Sequence, residues 1–351
     1  MTLTATPPAP AAPAGVRPAS LHRRRALGLG VCVLAVLLAV VASLAFGARV
    51  VSPADVVAGV LHPDLDDIAH AAVRSRVART VLGLLVGAAL GIGGAVLQGL
   101  TRNPLADPAL LGISSGASLA VVLGIMLLGL TTLPQYVWLA FAGAMVASLL
   151  VWAIASLGRE GATPLKLALA GAATTAALSS AVSMVLLSRT DVFDTFRFWQ
   201  VGSLGRASFA EIAQVAPFLV VGTVLAVGCA RGMDAIALGD DVAVGLGQRI
   251  GLVRAAGGAA AVLLCGTAVA AAGPIGFVGL VVPHLARVFT GPGHRWLLPY
   301  SAALGAALLL AADVIGRIVS RPQEVEVGIV TAVLGAPVFI AIIRRHKVRE
   351  L

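Results

Sequence analysis

The chain has 351 residues, of which 59% are apolar and only 12% are charged. Soluble domains carry about 25% charged residues, so this composition excludes a soluble globular enzyme. The long apolar runs between short polar segments are typical of a helical membrane protein. The net charge of +9 comes from bases scattered over many short loops, which indicates membrane topology rather than nucleic-acid binding.

The chain begins with a segment that predicts a disordered cytosolic tail. Residues 1–25 are rich in Pro and Ala and end in His22 and three arginines. The apolar run over 26–48 is longer than the roughly 7–15 residues of a signal-peptide core, so it predicts a retained first membrane span. One transmembrane domain is predicted over 26–345, followed by a short cytosolic tail at 346–351.

Nine further apolar runs predict nine more spans, which makes the chain an all-α polytopic membrane protein with about ten transmembrane helices. The ten predicted spans are 26–48, 79–100, 112–130, 134–157, 165–188, 209–230, 252–272, 275–290, 296–317 and 326–343. An even number places both termini on one side. That side holds 16 of the 25 Lys and Arg residues but only six of the 16 acidic residues. The positive-inside rule therefore predicts cytoplasmic termini.

A cluster of arginines on the predicted outer side departs from this rule. Arg74, Arg76 and Arg79 lie together at the entrance of the second span and need an explanation of their own.

The second span also carries a run of glycines. Gly83, Gly87 and Gly91 are four residues apart and share one helix face, which lets another backbone approach closely. The sequence leaves open whether this packing surface meets the same subunit, a second permease or the transport pathway.

The ionisable residues of the predicted spans indicate which source of energy could drive transport. Ionisable residues are confined to span ends, with Asp313 and Arg317 near the outer end of span nine and His284 and Arg287 near the inner end of span eight. This disfavours a proton- or sodium-driven pump, because such pumps use ionisable residues deep in the membrane. The two lysines do not follow a glycine-rich loop, so we expect another chain to bind any ATP.

We predict no catalytic residue, bound cofactor or metal site in this chain. Gly112-Ile-Ser-Ser-Gly116 matches the nucleophile elbow of serine hydrolases, but it opens a predicted membrane helix without a His and Asp pair. His284 and His294 are separated by a loop and have no further ligands nearby. The three cysteines, each within or at the end of an apolar run, are predicted to be small buried apolar residues.

The longest predicted cytosolic loop, 231–254, has a helical pattern. Met233 to Leu238 predicts one short helix, Gly239 ends it, and Asp240 and Asp241 favour the start of a second helix that ends at Gly247. Apolar positions on these two helices predict a docking surface. The alternative is a compact loop that lies on its own bundle.

Several long motifs in a fixed order carry a resemblance to a known family. They are Arg76-Val-Ala-Arg79-Thr80, LLVGAALGIGGAVLQGLTRNPLADPALLGISSGASL at 84–119, RFWQVGSLG at 197–205, ALGDDVAVGLG at 237–247, GPIGFVGLVVPHLAR at 273–287, DVIGR at 313–317 and VGIVTAVLGAPVFI at 327–340. The chain resembles the FecCD-type permeases of type II ABC importers, which take up iron siderophores, haem and cobalamin. The resemblance covers about 26–345, and the NPLADP form is most similar to the siderophore branch.

The resemblance implies the type II importer permease fold in the cytoplasmic membrane, surrounded by lipid. It implies two permeases, identical or related, that enclose the pathway, and two cytosolic ATPase subunits that bind ATP and Mg. A substrate-binding protein would dock on the outside. The implied substrate is an iron(III) siderophore, with haem or cobalamin as the alternative.

The resemblance also assigns roles to individual residues. Arg76, Arg79 and Arg317 match outer-rim arginines that receive acidic residues of the binding protein, although Ala78 replaces the usual proline. The segment that resembles the ATPase-coupling helices includes Ala237, Leu238, Gly239, Asp240, Asp241, Leu246 and Gly247. The residues that resemble the cytoplasmic gate are Asn103, Leu105, Thr163 and Pro164. The second of these segments, Thr163-Pro164-Leu165, departs as a whole from the small hydroxyl residues expected there.

Two function classes compete with this interpretation. A self-contained secondary transporter predicts intramembrane ionisable residues and inverted repeats with broken helices. A membrane-embedded enzyme predicts a polar cluster inside the bundle. The sequence has neither pattern.

Overall fold

A computed structural model describes residues 18–47, 51–61, 67–157 and 163–347. All regular structure in these residues is helical. The α-helices are α1 (Pro18–Ala45), α2 (Pro53–Leu61), α3 (Ile68–Leu100), α4 (Ile113–Leu128), α5 (Leu133–Ala155), α6 (Pro164–Ser188), α7 (Thr190–Gln200), α8 (Phe209–Ala237), α9 (Asp240–Gly245), α10 (Ile250–Ala272), α11 (Val278–Thr290), α12 (His294–Val319) and α13 (Val327–Lys347). A short 3₁₀ helix at Pro108–Leu111 lies between α3 and α4.

The predicted all-α membrane fold is confirmed. Seven helices are long and apolar enough to cross a membrane, namely α1, α3, α5, α6, α8, α10 and α12. The shorter apolar helices α4, α11 and α13 lie at the three remaining predicted spans. The count of ten crossings and the side of the termini stay predictions.

Two helices begin earlier than the sequence predicts. α1 begins at Pro18, so residues 18–25 of the predicted tail are helical; the rest of that tail and residues 348–351 lie outside the described residues. α3 begins at Ile68, because the Asp67 side chain caps it by accepting a hydrogen bond from the Ala69 N–H at 2.7 Å. With 33 residues, α3 is about 50 Å long and extends beyond a bilayer core of about 30 Å.

Two short helices outside the predicted spans were not anticipated. α2 and α7 lie in the connections that the charge pattern assigns to the outer side. α7 is amphipathic, since Phe196 and Trp199 are buried in the core while Phe193 and Phe198 are exposed. Its sequence is too polar for a membrane-span pattern, and its buried side is recognisable only from what packs against it.

The core is built around α3 and α10, the most buried of the long helices, and α3 packs against α8, α10, α11 and α12. α1 lies at the periphery against α12. The three cysteines are buried and free.

The glycine face of α3 packs against α12 of the same chain. A Cβ added to Gly87 would lie 2.5 Å from the Gly305 carbonyl oxygen, and one added to Gly91 would collide with the Ser301 carbonyl oxygen. At Gly83, an added Cβ would lie 2.7 Å from the Leu310 side chain. Among the three partners that the sequence leaves open, the structure therefore places α12 against this face.

Candidate functional site

A buried ion-pair cluster joins α3 to α12 on the side that the charge pattern predicts to be the outer one. Arg79 donates to Asp313 from Nε, at 2.9 Å to Oδ1, and from Nη2, at 2.7 Å to the same oxygen. Arg317 lies 2.8 Å from the other oxygen of Asp313. The remaining Arg79 nitrogen, Nη1, donates to Glu324 Oε2 at 2.6 Å. One carboxylate thus holds two guanidinium groups, and a second, partly exposed carboxylate covers Arg79 from outside.

The same region supplies hydrogen-bond donors to the backbone carbonyls at the carboxyl-terminal end of α1. Arg76 Nη1 donates to the carbonyl oxygens of Leu44 and Ala45 at 3.0 and 3.2 Å. Arg317 Nη1 donates to the carbonyl oxygens of Ser43 and Phe46 at 2.9 and 3.0 Å. The last carbonyls of a helix have no intrahelical donors and carry partial negative charge, so these cations stabilise the end of α1.

The predicted docking arginines are therefore placed differently from an exposed rim. Arg76, Arg79 and Arg317 are 6%, 8% and 1% exposed. They lie on the predicted outer side, but their donors are used within the chain, because a buried guanidinium requires partners. Sequence reasoning missed the participation of Asp313 and Glu324; the spacing of Asp313 and Arg317 by four residues on one helix was the available signal.

On the opposite side of the bundle, α8 and α9 form the predicted coupling segment. The prediction of a separate short helix from Met233 to Leu238 is wrong: α8 continues without a break to Ala237. Gly239 then has a φ of +115°, which L-residues rarely adopt, and this turn separates α8 from α9. Of the two short helices predicted in this loop, only the second forms a separate helix, α9.

α9 and the residues on either side of it expose apolar side chains. Leu238, Val242, Val244 and Leu246 are 66%, 48%, 61% and 61% exposed. Ala243 faces inward, is fully buried and packs with Ala235 and Ile236 of α8, with Ile250 and Val253 of α10 alongside. We call the four exposed side chains the α9 apolar surface.

Asp240, the first residue of α9, pairs with two arginines from other elements. Its Oδ1 accepts a hydrogen bond from Arg102, which follows α3, and its Oδ2 accepts one from Arg254 of α10 at 2.9 Å. Its neighbour Asp241 is exposed and has no ion pair within the described residues. Sequence reasoning missed both arginines, which lie 138 and 14 residues from Asp240.

The first predicted gate segment is a turn between α3 and the 3₁₀ helix. The Asn103 side chain accepts a hydrogen bond from the Leu105 N–H at 2.9 Å, and Leu105 is exposed. Asp107 then caps the 3₁₀ helix through the Ala109 N–H at 2.8 Å. Burial raises the pKa of the Asp107 carboxyl, and that hydrogen bond opposes the rise.

The second gate segment begins α6. The Thr163 side chain accepts a hydrogen bond from the Lys166 N–H at 3.3 Å, and Pro164 occupies the first helical position, where its missing N–H costs little. α6 approaches the 3₁₀ helix closely at Gly171, where an added Cβ would collide with the Leu110 carbonyl oxygen. In the described part of the chain no hydrogen bond joins the two gate segments.

Two further polar contacts lie on the predicted cytosolic side of the bundle. His294 donates its backbone N–H to Asp234 at 2.8 Å, and its ring Nδ1 lies 2.6 Å from the same carboxylate oxygen. Gln98 accepts a hydrogen bond from Arg287 and donates to the Leu280 carbonyl at 3.1 Å, which joins α3 to α11. These contacts position helices, and within the described residues no group of three His, Cys, Asp or Glu side chains could hold a metal ion.

Comparison with known proteins assigns the chain to a family of transport proteins. Residues 34–345 match the FecCD transport family. The chain is 45% identical over 272 residues, covering 77% of its length and 81% of the relative, to the ferric enterobactin transport system permease protein FepD of Escherichia coli. It is 42% identical over 271 residues, with 77% and 81% coverage, to YfiZ of Bacillus subtilis, a probable siderophore transport system permease protein.

A more distant functional relative and a solved structure extend the comparison. The cobalamin import system permease protein BtuC of Halobacterium salinarum is 40% identical over 282 residues, which cover 79% of this chain and 74% of the relative. An inward-facing structure of a metal-chelate type ABC transporter superimposes with a TM-score of 0.77 at 27% identity, covering 90% of this chain and 98% of that one. With its apolar helices arranged as in that permease, this multi-pass membrane protein belongs to the FecCD transport family.

Proposed function

We propose that the chain is the permease subunit of an ATP-driven ABC importer that carries iron(III)-siderophore chelates across the cytoplasmic membrane. The observation that carries the proposal is an apolar surface on α9, beyond the end of a long membrane helix, in a chain of the FecCD transport family. Relatives named for ferric enterobactin and siderophore transport support the substrate class.

The α9 apolar surface is the proposed contact with a separate ATPase chain, which binds ATP and Mg. α9 follows the cytosolic end of α8 according to the charge pattern, where neither lipid tails nor the bundle covers its side chains. An exposed apolar patch of this kind marks a protein interaction site.

Transport then follows from displacement of helices rather than from covalent chemistry. A loaded binding protein docks outside, and ATP closes two ATPase chains against each other. Their movement displaces α9, and the bundle opens one gate as it closes the other. The pathway lies between this chain and a second permease, and it must bind a large chelate weakly so that the chelate can leave.

Docking of the binding protein is proposed at the outer ends of α3 and α12. Glu324 is partly exposed and occupies Nη1 of Arg79, so a carboxylate of the partner can take its place. Glu324→Gln should therefore strengthen docking at low salt, most clearly in a binding assay repeated at increasing ionic strength. Unchanged docking would argue against Arg79 as a docking residue. This variant keeps the Asp313 pair intact, which charge reversal at Arg79 does not.

Cobalamin or haem is the alternative substrate within the same mechanism. The 40% identity to a cobalamin import permease supports it. In this class the binding protein largely selects the substrate, so the permease sequence discriminates weakly between chelates.

One experiment tests both the mechanism and the substrate. The tagged chain is purified from its native membrane, its partners are identified, and the complex is reconstituted in vesicles with its binding protein. Uptake of labelled iron(III) catecholate, iron(III) hydroxamate, haem and cobalamin is compared with ATP and with a non-hydrolysable analogue. ATP-dependent uptake of an iron siderophore supports the proposal, whereas uptake driven by an ion gradient without an ATPase would overturn it.

A further inference from the structure

The ion pairs of Asp240 connect three parts of the cytosolic side. Asp240 begins α9, Arg254 belongs to α10, and Arg102 lies between the end of α3 and the gate turn at Asn103–Leu105. The three side chains are 42%, 31% and 38% exposed, so the pairs lie at the protein surface. A displacement of α9 therefore acts through one carboxylate on the residue that precedes the gate turn.

The backbone of Arg102 is unusual for a non-glycine residue. Its φ is +49°, and it follows Thr101, the cap of α3. Helices commonly end with glycine at this left-handed position, because a Cβ is unfavourable there. Strained residues of this kind persist where their side chains are held by the surrounding structure. The contact that holds Arg102 is its hydrogen bond to Asp240.

The remaining attachment of α9 is small. Ala243 is its one buried side chain, and the α9 apolar surface faces away from the bundle. Asp241 of α9 and Arg249, which directly precedes α10, flank the cluster and form no ion pair within the described residues. Among the charged residues that the structure describes in this region, Asp240 alone connects α9 to Arg102.

We propose that Asp240 is a positioning residue that transmits the displacement of α9 to the cytoplasmic gate turn through Arg102, with Arg254 holding the carboxylate against α10. The inference rests on the proposed function, in which an ATPase chain moves α9. Loss of the pair should leave ATPase binding intact, because the α9 apolar surface is unchanged. It should lower the amount of substrate imported per ATP hydrolysed.

The test compares matched variants in the reconstituted complex with its ATPase and binding protein. Asp240→Asn should lower the import-to-hydrolysis ratio about tenfold, as expected for a coupling contact. Arg249→Gln, near the cluster and without an ion pair in the described residues, should match the wild type. Arg254→Gln, compared with Arg249→Gln, repeats the test on the second arginine that pairs with Asp240. This comparison still tests the proposal if the complex with Asp240→Asn does not assemble.

Arg102→Gly separates coupling from stability. Glycine suits the left-handed backbone, so this variant should keep or raise the thermal unfolding midpoint while it loses coupling as Asp240→Asn does. The double variant that combines Arg102→Gly with Asp240→Asn should have an import-to-hydrolysis ratio no lower than either single variant, because both substitutions remove the same contact. An import-to-hydrolysis ratio of Asp240→Asn equal to that of the wild type, in a complex that imports, would overturn the inference alone. A wild-type complex without ATP-dependent import would overturn the proposed function, and the inference with it.

Discussion

At the scale of single residues, the ion-pair cluster around Asp313 shows that burial determines whether an arginine is available to a partner protein. Asp313 is 1% exposed and pairs with both Arg79 and Arg317. Buried charges are expensive unless they are paired, so each member depends on the others. The same three arginines that suggest a docking rim in the sequence hold α1, α3 and α12 together in the folded chain.

Removing the central carboxylate should be strongly destabilising. Asp313→Asn leaves two buried guanidinium groups without their shared anion, and we expect a loss of about 3–5 kcal/mol in the free energy of unfolding. Glu324→Gln removes a partly exposed pair and should cost about 1 kcal/mol or less. Denaturant unfolding of both variants in detergent measures the difference, and equal losses would contradict the structural role of Asp313.

At the scale of elements, close helix packing depends on residues that have no side chain. α3 carries glycines where α12 approaches, and the Ser301 carbonyl lies against Gly91. Without a hydrophobic driving force between helices in lipid, such close approach supplies much of the packing energy.

A methyl group at this contact should force the two helices apart. Gly91→Ala should destabilise the fold by about 1–3 kcal/mol, as overpacking does. Gly30→Ala is the matched control, since Gly30 of α1 has open space around it and alanine is the better helix former. Thermal unfolding midpoints report both changes. A Gly91→Ala midpoint equal to that of the control would mean that α3 and α12 do not pack as described.

The turn before α9 offers a second matched pair of glycines. An added Cβ meets no neighbour at Gly239 or Gly245, but only Gly239 has a positive φ, at +115°. Gly239→Ala should therefore cost about 1–3 kcal/mol in local strain and displace α9, whereas Gly245→Ala should be neutral. ATP-driven uptake distinguishes them: we expect a loss with Gly239→Ala only, and normal uptake in both would argue against a role of this turn in coupling.

At the scale of the whole molecule, exposed apolar surface has two different meanings. The exposed apolar side chains of α1, such as Leu34 and Leu38, lie on a membrane-length helix and face lipid in the predicted topology. Those of the α9 apolar surface lie on a six-residue helix and the residues that flank it, outside the spans. Lipid tails cannot cover them there, so a protein partner is the expected cover.

Charged substitutions on α9 should abolish that assembly. The double change Val244→Asp and Leu246→Asp should leave the membrane bundle folded but prevent the ATPase chain from co-purifying. Leu61→Asp is the control, because Leu61 is equally exposed on α2, at the other side of the predicted membrane. Retention of the ATPase by the double variant would exclude the α9 apolar surface as its docking site.

Much of the fold could be predicted because the information is local. Each membrane helix appears as its own apolar run, whatever it packs against, so the spans from 112–130 to 326–343 agree with helices α4–α6, α8 and α10–α13 to within a few residues, apart from the extra turns of α8 and α13. Independent motifs, spread along the chain, were sufficient to identify the family. The segment at 237–247 was recognised in the same way, from residues adjacent in sequence.

The partners of these elements were decided only by tertiary structure. Asp313 meets Arg79 across 234 residues and Asp240 meets Arg102 across 138, and neither pair has a local pattern. The buried side of α7, the continuation of α8 to Ala237 and the choice of α12 as partner of the α3 glycines likewise depend on neighbours distant in sequence. Hydropathy determines that a helix enters the membrane, but the pairing of its charges and small residues is determined by which helices lie beside it.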